Sequence, residues 1–74
     1  MNKLENNTLT QREKEILHYL IEGYSNKEMA EKLIISIHTV KAHIESIYRK
    51  FGVHNKVQAA IYAIYYKIID IDNV

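Results

Sequence analysis

The segment from Ser36 to Gly52 constrains the fold of this chain most, because it reads as one helix with two unlike faces. At about 100° per residue, Val40, Ile44, Ile47 and Phe51 lie close together on one side. His38, Ala42, Glu45 and Arg49 gather on the opposite side, with Lys41 at its edge. The first side is built for burial. The second is slim, where a merely solvated face of this size would be filled with long Lys and Glu. A narrow face able to hydrogen bond, preceded by a short helix and a tight turn, is what reading base edges in a DNA major groove requires.

The preceding residues supply that short helix and turn. Thr10 and Glu13 form a capping box that opens a first helix, and Leu9 is placed to staple against the next turn. Ile16, Leu17, Leu20 and Ile21 give this helix one apolar side, and Gly23 ends it. Ser25 and Glu28 form a second box, opening a helix of about two turns with Met29, Ala30 and Leu33 turned inward. Ile34 and Ile35 make an apolar turn and Ser36 caps the third helix, which Gly52 stops. So few residues between Leu33 and Ile37 force the two helices to meet steeply, as in a helix-turn-helix.

A third box, Asn55 with Gln58, opens a fourth helix expected from about Lys56 to Ile69. This helix has almost no polar side. Ala59, Ala63 and Tyr66 can cover the core, whereas Val57, Ile61, Ile64 and Ile68 find no cover within so short a chain. Four such side chains, at about 1.5–3 kcal/mol each when fully buried, favour self-association. They are therefore the expected dimer interface. The fold class that follows is all-α: a four-helix bundle containing a helix-turn-helix, without a wing. Residues 1–7 read as a disordered tail, 8–70 as the domain and 71–74 as a frayed end.

Composition excludes several classes of function. With no Cys, disulfides and thiolate metal sites are ruled out, and no Pro interrupts a helix from inside. His18, His38, His43 and His54 lack the pairing that a metal needs; His38 and His43 are five apart and on different sides. No metal and no other cofactor is expected. Ser46 and His43 have no orienting acid in sequence, and phosphate-cradling glycine loops are absent, so the chain does not read as an enzyme. No run approaches the roughly 18 apolar residues of a membrane span, and the N-terminus lacks a signal-peptide core. A cytoplasmic, nucleoid-associated protein without a small-molecule ligand or a membrane partner is the expectation.

Net charge is only +1, but its distribution is uneven. The segments 1–35, 36–56 and 57–74 carry −1, +3 and −1. Positive charge thus collects around the third helix, as an electrostatic footprint for phosphate requires. Arg49 and Lys50 read as distal cations adding sequence-independent attraction. Ser36 and Thr39 place hydroxyls at the positive end of the third helix, a natural phosphate site, and Asn26 and Lys27 start the second helix where they can grip the next phosphate.

Four blocks in order carry a resemblance to a known family: Leu9 to Leu17 (LTQREKEIL), Gly23 to Ala30 (GYSNKEMA), Ile35-Ser36 with Thr39 to Ile44 (TVKAHI), and Lys50 to Val53 (KFGV) followed by Gln58-Ala59. Together they span roughly residues 9–66, and the chain resembles the LuxR/FixJ/GerE-type helix-turn-helix domain of bacterial transcription regulators. The resemblance implies a response-regulator-type four-helix domain that binds promoter DNA as a dimer through its last helix. It also implies that Lys41, Ala42 and Glu45 meet base edges, with His38 beside them on the same face. Asn26, Lys27, Ser36 and Thr39 match positions that hold the phosphate backbone. Three residues depart from the family pattern: Glu45 where a basic or polar residue is usual, Lys56 for the more usual Arg, and Phe51 for the common Leu. A carboxylate at position 45 favours accepting from cytosine N4, so base preference departs from the family's.

The expected function is therefore a sequence-specific DNA-binding transcription regulator, with double-stranded DNA and a second copy of the chain as partners. A rival from another class is a protein-interaction module whose fourth helix docks on RNA polymerase or a partner regulator, the third helix being only structural.

Overall fold

The computed structural model describes residues 8–69, so the tail expected over 1–7 and the frayed end expected over 71–74 lie outside the described residues. Among the described residues four helices follow one another: α1 (Gln11–Glu22), α2 (Asn26–Leu33), α3 (Ile37–Phe51) and α4 (Lys56–Tyr65). No strand occurs among the described residues. The expected all-α class and the helix-turn-helix of α2 and α3 are both present.

Local chemistry sets most of the boundaries. The Thr10 hydroxyl accepts from the Glu13 N–H at 3.1 Å while the Glu13 carboxylate accepts from the Thr10 N–H at 2.9 Å, closing the first box. Ser25 and Glu28 repeat the arrangement for α2. Gly23 and Gly52 end α1 and α3 in the left-handed conformation, with φ of 95° and 72°. Beyond Gly23, the Tyr24 N–H returns to the Tyr19 carbonyl at 3.0 Å, and the two tyrosine rings close over that turn at 4.8 Å. The end of α2 is different: Ile34 takes the left-handed conformation at φ 57° although it is β-branched and has no glycine's freedom.

α3 lies at the centre, packing on α1, α2 and α4. Ile16, Leu17, Met29, Val40, Ile47, Ala59 and Ala63 are fully enclosed, with Leu9, Leu20, Ala30, Phe51 and Ile69 nearly so. The apolar stripe read from sequence on α3 thus faces the core, Ile44 being partly buried at its rim.

The fourth helix departs from expectation in length. α4 ends at Tyr65 and not at Ile69. Lys67 adopts φ 57°, its N–H bonds to the Ile64 carbonyl at 3.1 Å, and the Ile68 N–H bonds to the Ala63 carbonyl at 2.8 Å. This is a Schellman stop with lysine where glycine is usual. Its consequence is that Ile68 turns back against the core and Ile69 is buried. Burying Ile69, with Ile68 covered in part, offsets the left-handed lysine, full burial of one such side chain contributing about 1.5–3 kcal/mol. Tyr66, expected over the core, is instead exposed, and Tyr62 covers that position by stacking on Phe51 at 4.3 Å.

Candidate nucleic-acid interface

His38, Lys41, Ala42, Glu45 and Arg49 are all exposed and share an arc of roughly 100° on α3. Among the described residues none of these side chains takes part in a hydrogen bond or ion pair, and the ion pairs present are Arg12–Glu15 and Lys50–Glu13. Their polar atoms are therefore available to an external partner. α3 is about 22 Å long, enough to cross a groove about 12 Å wide. Ala42 sits at one end of the arc, almost directly opposite the buried stripe of α3, where a larger side chain would hold the helix backbone away from whatever it approaches.

At the N-terminus of α3 the Ser36 hydroxyl accepts from the Thr39 N–H at 3.0 Å and donates to Thr39 Oγ1 at 2.9 Å. That leaves the Thr39 hydroxyl proton to point elsewhere. α1 and α2 each carry a glutamate in their first turn, whereas α3 has no acidic residue there. The positive end of α3 is consequently not neutralised by its own sequence. Lys27 and Ser36 line the same open cleft at the α2–α3 junction, together with the Glu31 carboxylate and the apolar Ala30, Ile34, Ile35 and Ile37. Two of the expected backbone-holding residues are thus brought together, and Asn26 lies next to Lys27 at the start of α2.

Lys50 is placed differently. Its ammonium donates to Glu13 Oε1 at 2.7 Å and to the Thr8 carbonyl at 3.3 Å, so its charge is already matched inside the domain. The Ser46 hydroxyl donates to the other oxygen of Glu13 at 2.6 Å and not toward His43. Burial opposes ionisation of Glu13, yet the bonds from Lys50, Ser46 and the Thr10 N–H outweigh it and hold the carboxyl down at about 2. This three-residue tie fixes α3 against α1. Sequence reading assigned Glu13 only to a cap. A signal was available: Glu13 occupies the same stripe as Ile16, Leu17 and Leu20, and a charge centred on an apolar stripe demands a partner.

Val57, Ile61, Ile64 and Tyr65 are exposed along α4, the first two by 65% and 62%. Three of the four residues expected at a dimer interface therefore form one surface. Ile68 does not join them, because the chain has already left the helix and folded under.

The family model for bacterial regulatory proteins, luxR family, matches residues 7–63. Transcriptional regulatory protein LiaR of Bacillus subtilis is 50% identical over 62 residues, which are 84% of this chain and 29% of that protein. Fimbriae Z protein of Escherichia coli is 49% identical over 61 residues, 82% of this chain and 29% of the relative. Response regulator protein VraR of Staphylococcus aureus is 46% identical over 61 residues, with the same two shares. Among solved structures, that of response regulator ChrA from a heme-sensing two-component system superposes with a TM-score of 0.80 at 45% identity, covering 84% of this chain and 31% of that one. The chain spans about 29% of the length of the curated relatives it matches.

Proposed function

The chain belongs to the luxR family of bacterial regulatory proteins, and from that premise we propose that it is a sequence-specific DNA-binding domain of a transcription regulator. α3 enters the major groove, presenting Lys41, Ala42, Glu45 and His38 to base edges. Asn26, Lys27, Ser36 and Thr39 grip the phosphates, with Arg49 adding charge further along. Lys50 is left out of this set because Glu13 already holds it. Two copies meet through Val57, Ile61, Ile64 and Tyr65 of α4 and occupy a two-fold related site with half-sites about 34 Å apart. A ten-residue helix is only about 15 Å long, so this contact buries less than the roughly 800 Å² per partner of a stable complex. The dimer is accordingly weak in solution and completed on DNA.

The observation that carries the reading is the unengaged α3 face, supported from beneath by the buried Val40, Ile47 and Phe51. The test is titration of a labelled duplex, selected from a random pool, against a scrambled duplex at two salt concentrations. The parent binds the selected duplex at least about 10³-fold more tightly, and Lys41→Ala with Thr39→Ala removes that preference. Arg49→Ala weakens binding to both duplexes and lowers the salt slope by about one. Equal affinity of the parent for both duplexes at either salt would end the proposal.

A further inference from the structure

Glu45 is an unusual side chain to aim at a polyanion. It lies on the exposed face of α3, one turn beyond Lys41 and one turn before Arg49, and accepts no hydrogen bond from either. The order Glu45 then Arg49 is the favoured one for a pair four residues apart, and still the two side chains are apart. A carboxylate accepts and does not donate. In the major groove the donors are cytosine N4 and adenine N6, and adenine sets its N7 acceptor beside its donor, which repels a carboxylate. Cytosine has no such neighbour on its own edge. The adjacent guanine O6 of a C·G pair needs a donor, and cations stand about 6 Å away along the helix on both sides.

Resting on the DNA-binding reading above, with the Lys41 ammonium donating to guanine O6 and N7, we infer that Glu45 is a specificity-determining residue that requires a cytosine in each half-site, within about two base pairs of that guanine. The axial rise between residues 41 and 45, about 6 Å against 3.4 Å per base pair, sets that limit. Lys41 and Arg49 keep the carboxylate tolerable in the groove. Opposite guanine or thymine Glu45 is a desolvated anion with no donor, and opposite adenine it meets the N7 acceptor, so it acts as much by rejecting other sequences as by binding the right one.

The test is selection of bound duplexes from a random pool with the parent, Glu45→Ala and Glu45→Gln, followed by affinities for the selected site and for its C→T replacement. Glu45 is exposed and mid-helix, so both variants retain the fold. The parent selects a C·G pair within about two base pairs of the guanine, and C→T weakens it by about 5- to 150-fold. Glu45→Ala still selects the guanine but loses the cytosine, with C→T then costing less than about twofold, and it binds random duplex more tightly. Glu45→Gln shifts the selected base toward adenine, whose N6 and N7 suit an amide. A parent site lacking the cytosine, or an identical site selected by parent and Glu45→Ala, overturns this inference while leaving the DNA-binding reading standing. Failure of the parent to enrich any sequence overturns both.

Discussion

Glu13→Gln isolates the tie between α1 and α3. Glutamine keeps the first capping box, because its side-chain oxygen can still accept from the Thr10 N–H, but it removes the charge that Lys50 and Ser46 address. The magnitude follows from the carboxyl itself, which ionises at about 2 against an ordinary 4.5. At about 1.4 kcal/mol per pH unit, that difference amounts to about 3 kcal/mol of folding stability. Part of it belongs to the retained cap, so the expected loss at pH 7 is about 2–3 kcal/mol. Because the folded value lies below the unfolded one, this contribution is complete above about pH 4.5 and disappears as pH falls through about 2. A domain of this size has only about 3–9 kcal/mol in total, so the variant is close to unfolding. Urea titration followed by helical circular dichroism reads the effect: with a slope of about 1 kcal/mol per molar, the midpoint falls by about 2 M at pH 7. At pH 2 the two proteins draw together. Equal midpoints at pH 7, or a gap that persists undiminished at pH 2, would refute the claim that the Glu13 charge joins these helices.

Two further substitutions probe other parts of the molecule. Ile34→Asn replaces a β-branched side chain that is 89% exposed at φ 57° by one tolerant of that conformation, so it raises stability by about 1 kcal/mol in the same urea assay; a lowered midpoint would mean that Ile34 contributes packing in the folded domain. Ile61→Asp places a charge on the exposed α4 face and yields a folded monomer by sedimentation, with affinity for a two-fold site reduced about 10²-fold while half-site binding persists; a parent that is already monomeric on DNA removes the pairing role of this face.

Much of this fold is legible from neighbours in sequence, since what sets it is short-ranged. A hydroxyl or amide reaching three residues ahead opens each helix, at Thr10, Ser25, Ser36 and Asn55. Glycine at 23 and 52 closes two of them, and the 3.6-residue period of α3 separates Val40, Ile47 and Phe51 from Lys41, Ala42 and Glu45. Accordingly the exposure of the candidate reading face follows from local pattern alone, once the opposite face is buried. What tertiary structure decided is what depends on contacts distant along the chain. Glu13 meets Ser46 and Lys50 across 33 and 37 residues, a meeting that turns one expected phosphate-binding cation into an internal counter-charge. The early stop of α4 has the same origin: no glycine marks it, and Lys67 accepts a left-handed backbone because Ile68 and Ile69 then reach the core. Periodicity and capping act over one turn of helix, whereas the pairing of a buried charge and the direction of a chain end depend on whichever surface the folded molecule brings beside them.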